Sequence, residues 1–257
     1  MPINLIILFI IIFGLIFGSF LSVDKNRLED PKSIIIGRSQ CPKCHHKLGF
    51  WVLIPLFSFL FLRGRCRYCA KKISWQYPIF EIISAILALA VYLKFGLSFS
   101  SFVLFLSLSA LLVACWLDAE NQEVELPVLI VGIILALIWY FLRSTGLTHL
   151  ISLLYAISAA VVIPFLLYLI SREKWMGLGD SFFAAWIAIL SGFPAAVVSV
   201  FSAFMLGAIF GIIKMSISSQ KRSKSQIAFG PFLAIGGMIG LFWGEKIINL
   251  YLKIFGL

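Results

Sequence analysis

The run INLIILFIIIFGLIFGSFLSV, Ile3 to Val23, decides the fold class. It carries no charge over a length that, wound as a helix, crosses roughly 30 Å of hydrocarbon. No basic residue precedes it and no small-residue cleavage site follows, so it reads as a retained first span and not as a removed signal. Comparable runs recur at Ile79 to Leu93, Ser98 to Leu117, Leu126 to Leu142, Leu147 to Ile170, Ser181 to Leu190, Ala195 to Ile213 and Ile227 to Phe242. The fold class is therefore an all-α membrane protein, a polytopic bundle of about eight transmembrane helices. Composition agrees: 61% of the 257 residues are hydrophobic and 12% charged, where a soluble domain has about 25% charged residues. A net charge of +10 drawn from so few charges points to basic loops at a membrane surface and not to a nucleic-acid partner.

Orientation follows from Lys and Arg, because cytoplasmic loops keep positive charge during insertion. If the first span ends inside the cell, every Lys and Arg except Lys94, Arg143, Lys246 and Lys253 falls on the cytoplasmic face. The expected division is a first transmembrane helix over 1–23, a cytoplasmic loop over 24–78 and a membrane domain over 79–257, with the N-terminus outside. Phe50 to Leu62 is apolar but short and flanked by basic clusters, which suits an interfacial segment better than a span. No internal repeat is visible.

The loop contains Cys41-Pro42-Lys43-Cys44 and Cys66-Arg67-Tyr68-Cys69. Two CxxC hairpins bring four thiolates to the corners of a tetrahedron, the closed geometry of a structural zinc site. Disulfides are rare in a reducing cytoplasm. His45 and His46 adjoin the first pair, but four cysteines already complete the shell. A loop of this size has little core, so metal binding supplies much of its folding free energy. Cys115 has no partner at ligand spacing and reads as core filler.

Acids at membrane depth are costly and point to function. Asp24, Glu29 and Asp30 lie in the basic loop, Glu120, Glu123 and Glu125 form a polar stretch between spans, Glu173 sits between Arg172 and Lys174, and Glu245 is near the far end. Glu81 opens the second span after Tyr77-Pro78. Asp118 ends the third span, and Asp180 follows Gly177-Leu178-Gly179 at the start of another. On the derived topology both aspartates lie at the cytoplasmic boundary, on helices that a bundle can bring together. Two carboxylates in one site cannot both ionise easily, so one keeps its proton while the other activates water, which is aspartic-protease chemistry. Gly177 and Gly179 free the backbone to break the helix before Asp180 and let another chain approach. Residue chemistry alone leaves a protease, an ion or proton transporter with buried acids, and a noncatalytic scaffold all open.

The chain resembles the bacterial type IV prepilin peptidases along nearly its whole length. The match runs through Gly18-Ser19-Phe20-Leu21, Arg27-Leu28, Arg38-Ser39-Gln40-Cys41-Pro42-Lys43-Cys44, Leu62-Arg63-Gly64-Arg65-Cys66-Arg67-Tyr68-Cys69, Gln76-Tyr77-Pro78-Ile79-Phe80-Glu81, Met176-Gly177-Leu178-Gly179-Asp180 and Phe229-Gly230-Pro231-Phe232-Leu233-Ala234. The resemblance implies an inner-membrane GxGD aspartic endopeptidase that cuts type IV prepilins or pseudopilins after the leader Gly on the cytoplasmic side. It implies S-adenosylmethionine-dependent N-methylation of the new N-terminus as the usual second activity. Asp180 corresponds to the GxGD aspartate and Asp118 to its partner, with Glu120 as the fallback. Gly177, Gly179 and Glu120 are expected to meet substrate, and Cys41, Cys44, Cys66 and Cys69 to hold zinc. Where the family has Asn-Ile-Pro, this chain has Leu53-Ile54-Pro55, and a single Pro127 follows Asp118 at an altered distance.

Overall fold

The computed structural model describes residues 3–22, 40–41, 43–121, 125–143, 146–217 and 228–256. Of the residues discussed above, Val23, Asp24, Lys25, Arg27, Leu28, Glu29, Asp30, Lys32, Arg38, Ser39, Pro42, Glu123, Lys221, Arg222, Lys224 and Ile227 lie outside them.

Seven helices among the described residues are long and apolar enough to cross a membrane. They are α1 (Ile3–Leu21), α2 (Gln76–Phe95), α3 (Phe99–Asn121), α4 (Leu126–Arg143), α5 (Leu147–Ser171), α7 (Ala195–Ile217) and α8 (Gly230–Phe255). The eighth apolar helix, α6 (Leu178–Ser191), has 14 residues, about 21 Å at the α-helical rise. The expected bundle is thus present, with its ends redrawn. The last helix runs on past Phe242 to Phe255, and α3 runs on past Asp118, which lies in its last turn, to Asn121.

The chain divides into two compact units, Met1–Leu97 and Ser98–Leu257. In the first, α1 packs along α2. A side chain on Gly14 would run into the backbone of Ser84 and Ala85, and one on Gly18 into that of Phe80 and Glu81. Glycines four apart let two membrane helices meet backbone to backbone, where dispersion replaces the hydrophobic drive that lipid does not supply. Because α1 occupies this face of α2, packing groups the two helices together, whereas the functional division read from sequence begins a new domain at residue 79.

In the second unit α6 is the centre, flanked by α4, α5, α7 and α8. Phe183, Ala184, Trp186, Ile187 and Ala188 are wholly sheltered. A helix too short to span the hydrocarbon is tolerated there because neighbouring helices, and not lipid, surround its backbone. The Trp186 indole N–H donates to Ser107 Oγ of α3 at 2.9 Å, and Ser107 donates to the Gly132 carbonyl of α4 at 3.0 Å. This satisfied polar chain fixes three helices in register. Gly236, Gly240 and Gly244 bring α8 against Ala195, Ser199 and Ala203 of α7, again at a four-residue spacing.

Glycine substitutions separate close packing from helix propensity. Gly132→Ala drives a methyl into the Trp186 ring and Gly240→Ala drives one into Ser199, whereas Gly211→Ala enters open space. The first two are expected to cost about 1–3 kcal/mol by overpacking. The third is expected to be neutral or to stabilise by up to about 1 kcal/mol through helix propensity. Thermal unfolding of detergent-solubilised protein reads the difference.

Candidate active site and four-cysteine cluster

Three chain segments build the acidic site, all within the second unit. Asp118 is in the last turn of α3 and is 5% exposed. Its Oδ2 accepts the backbone N–H of Gly230 at 2.9 Å. Gly230 opens α8, where Pro231 needs no hydrogen-bond partner for its missing N–H. One turn before Asp118, the Cys115 thiol donates to the Gly230 carbonyl at 3.7 Å. Cys115 is buried, as a core filler would be, and it also helps hold the residue that holds Asp118.

Asp180 comes from the break between α5 and α6. Arg172 and Glu173 adopt left-handed φ values of 47° and 65° after α5 ends, Met176 is buried, and Gly177 is extended. Asp180 then sits in the first turn of α6, where its Oδ2 accepts the Gly177 N–H at 3.1 Å. A carboxylate suits this end of a helix, whose free N–H groups carry partial positive charge. Phe183, one turn after Asp180 on α6, lies beside Gly230, so the segments that carry the two aspartates meet at the start of α8. Gly230 has no room for a side chain: a Cβ would fall 2.5 Å from Asp118 Oδ2 and 3.4 Å from Phe183 Cζ.

The remaining candidates are placed less closely. Glu120 is exposed, two residues past Asp118 and hence about 200° further round the helix. Gly177 is exposed, and a Cβ there would make only ordinary contacts at 3.9 Å. A cavity of about 330 Å³ lies beside the break, lined by Leu167, Trp175, Met176, Phe204, Gly207, Phe229 and Phe232. It thus adjoins both segments that supply an N–H to an aspartate. The importance of Gly230 was not recognised from residue chemistry, although the Gly-Pro pair that opens α8 marks it as a special backbone position.

In the first unit Cys41, Cys44, Cys66 and Cys69 converge with their sulfur atoms all within 4.8 Å of one another. Cys41 Sγ and Cys69 Sγ are 3.9 Å apart, close to the about 3.8 Å edge of a tetrahedron with metal–sulfur bonds of about 2.3 Å. None of the cysteines is in a disulfide. The cluster can therefore hold a metal ion. The described residues around the two CxxC pairs share one knuckle shape. Gln40 bridges to Lys47 and Arg65 to Lys72. The N–H of His45 returns to the Cys41 carbonyl at 2.8 Å, and that of Ala70 to the Cys66 carbonyl at 2.9 Å. His45 and Ala70 take the matching left-handed φ of 53° and 55°. Burial pushes the Cys41 thiol up, but hydrogen bonds from the Lys43 and Cys44 backbone and from the Cys44 and Cys66 thiols outweigh it and bring it down to about 7. The His46 N–H pulls Cys44 down, yet desolvation and the neighbouring Cys41 and Cys69 groups lift it to about 11. Without a cation the first thiolate holds back its neighbours; a bound dication removes that conflict.

Glu81 is the one acid among the described residues of the first unit, and its carboxylate accepts the Leu56 N–H at 2.8 Å.

The fold and these two sites define a multi-pass membrane protein with two buried aspartates and a four-cysteine cluster able to bind a metal. Residues 12–95 match the family model for the bacterial peptidase A24 N-terminal domain, and residues 105–212 match that of the type IV leader peptidase family. The chain belongs to this peptidase family, and it is a multi-pass bacterial membrane protein. It is 30% identical to a prepilin leader peptidase/N-methyltransferase of Pseudomonas aeruginosa, over 96% of this chain and 93% of that one. It is 31% identical to a protein of the same name from Bacillus subtilis, over 95% and 96% of the two chains. No solved structure matches it.

A methyl group at position 230 tests the support of Asp118. Gly230→Ala is expected to break the Asp118 hydrogen bond and lower stability by about 1.5–3 kcal/mol, the range for a buried bond to a charged group. The unfolding midpoint of the variant, compared with that of Gly211→Ala, measures this.

Proposed function

We propose that the chain is a prepilin leader peptidase that removes the leader of type IV prepilins or pseudopilins after Gly, with N-methylation as its second activity. What supports the proposal is that Asp118 and Asp180 are buried on separate helices, each accepts a backbone N–H, and Phe183 of α6 packs at Gly230, the donor to Asp118. Both carboxyl groups are held through Oδ2, which leaves Oδ1 of each to meet water or a peptide carbonyl. One aspartate takes a proton from water while the other, protonated, polarises the scissile carbonyl. Such a pair titrates as a unit. Membership in a peptidase family favours this reading over ion transport.

In functional terms residues 1–23 are the first transmembrane helix, 24–78 the cytoplasmic zinc loop and 79–257 the protease domain. The N-terminus lies outside, and the loop and both aspartates lie on the cytoplasmic side of the inner membrane. The substrate's apolar helix lies in lipid against the protein, and its backbone must extend near the cut, because a helix keeps its carbonyls in its own hydrogen bonds. Gly177 is suited to meet that strand. Its φ of −81° is open to any residue and nothing among the described residues crowds it, so that packing does not explain a glycine; room for a second backbone does. Gly179 belongs to the same break. Exposed Glu120 and Glu125 supply negative charge for a basic leader. The natural environment includes membrane lipid, and no nucleic-acid partner is expected.

Incubating detergent-solubilised protein with a prepilin and following leader removal tests the mechanism. Asp118→Asn and Asp180→Asn are each expected to lower the rate by about 100-fold to 10,000-fold, the worth of one proton-transfer group. Normal cleavage by Asp180→Asn refutes the mechanism, and full activity in Asp118→Asn alone transfers the partner role to Glu120. With S-adenosylmethionine present, the mass of the processed N-terminus is expected to rise by one methyl group.

Zinc is the ion proposed for the four cysteines, because four thiolates in a closed tetrahedron suit it best. Purified protein is expected to contain one zinc per chain. Cys41→Ser or Cys66→Ser is expected to lose it, and acid is expected to release it as the thiolates take up protons. A zinc-free wild type contradicts the assignment.

A further inference from the structure

The first unit contains an apolar surface that the peptidase reading does not use. A 3-10 turn at Phe50–Leu53 and a short helical segment at Phe57–Phe61 present Trp51, Leu60 and Phe61 with 75%, 71% and 83% exposure. Trp75, the residue immediately before α2, is 69% exposed, and its ring lies 4.9 Å from that of Phe59. So much exposed aromatic and leucine surface is costly in water.

The depth of this segment is fixed by a buried acid. Leu56, at its centre, holds a left-handed φ of 59°, unfavourable for a branched side chain, and donates its N–H to Glu81 Oε2 at 2.8 Å. The end of α1 lies against the same turn, because a Cβ on Gly18 would fall 2.7 Å from Glu81 Cα. Glu81 lies in the second turn of α2, about 7.5 Å along its axis from Gln76, and Gly18 lies in the last turn of α1. Leu56 is thus pinned beside the second turn of α2 and the last turn of α1, at the depth where a bilayer's interface lies. Tryptophan is enriched there because its ring is apolar while its N–H stays wet.

The rest of the surface is of one sign. From residue 40 to residue 80 there is no Asp or Glu, and every charged side chain is Lys or Arg. Arg63, Arg65, Arg67, Lys71 and Lys72 are all exposed. They sit on the second cysteine knuckle and its approach, between the apolar segment and α2. Basic side chains beside interfacial aromatics favour anionic headgroups, with the long stems packing on apolar surface and the charges reaching the phosphates.

We infer that residues 50–61 and Trp75 form an interfacial segment, held at depth by Glu81, which seats the four-cysteine loop on anionic phospholipid of the bilayer that α1 and α2 cross. The partner is the lipid surface itself. Its recognition combines acyl-chain contact by Trp51, Leu60, Phe61 and Trp75 with phosphate contact by the cations of the second knuckle.

Full-length protein in nanodiscs tests this, with bromines on the acyl chains of either phosphatidylglycerol or phosphatidylcholine as the fluorescence quencher. The signal due to Trp51 and Trp75 is the difference between wild type and the Trp51→Phe/Trp75→Phe variant. That difference is expected to be quenched, and more strongly by the brominated anionic lipid. Replacing Arg63, Arg65, Lys71 and Lys72 with Gln is expected to erase the preference while Cys41 and Cys66 stay unreactive to maleimide, the sign that the knuckles remain folded. Equal quenching by the two lipids in wild type overturns the anionic-lipid assignment. No quenching of the two tryptophans by either lipid overturns the interfacial placement. Neither outcome bears on cleavage at Asp118 and Asp180.

Discussion

The second unit is organised around one constraint: two carboxyl groups must be kept inside an apolar bundle. Burying such groups is unfavourable unless the protein replaces the water they lose. Among the described residues it does so with backbone N–H groups. Asp118 takes its hydrogen bond from Gly230 and Asp180 from Gly177. Neither donor carries a charge that would neutralise its partner, so the acids are held in position while their capacity for proton exchange is retained.

That arrangement explains the odd features of the helices around it. The short α6 starts inside the protein because Asp180 must sit at a helix beginning, where backbone N–H groups are free. Its four helical neighbours compensate by sheltering it along its length. Close approach is then required of α4 and α8, and glycine supplies it: Gly132 accommodates Trp186, and Gly237 accommodates Ile187. Gly230 does the same for Asp118. Packing and chemistry therefore share residues, so a change that fills one of these gaps acts on the acids as well as on stability.

Much of this was legible in the chain. Long apolar runs located the eight apolar helices found among the described residues, because lipid permits few alternatives to a hydrogen-bonded helix. The CxxC pairs announced the cluster, since thiolates at that spacing converge by local turn geometry. Asp180 was marked by the two glycines before it. What escaped was set by tertiary contact. Gly230 lies far along the chain from Asp118, and no spacing rule connects them. The glycines at 236, 240 and 244 recur every four residues, but only the presence of Ala195 and Ser199 opposite gives that spacing its meaning. The twin knuckles are similar in backbone shape more than in residue type, since His45 and Ala70 share a left-handed turn and little else. Glu81 looked like another acid at a membrane boundary; its bond to Leu56 gives it a structural task.

Whether positions 118 and 180 face one another across a gap the size of a water molecule is best decided by cross-linking. With Cys115 replaced by Ser, an Asp118→Cys/Asp180→Cys double variant in membranes can be treated with the shortest bifunctional thiol reagents, and its peptides identified by mass spectrometry. The account predicts efficient linkage of residue 118 to residue 180 within one chain. Two thiols that each react singly but are joined only by long reagents, or not at all, would contradict it.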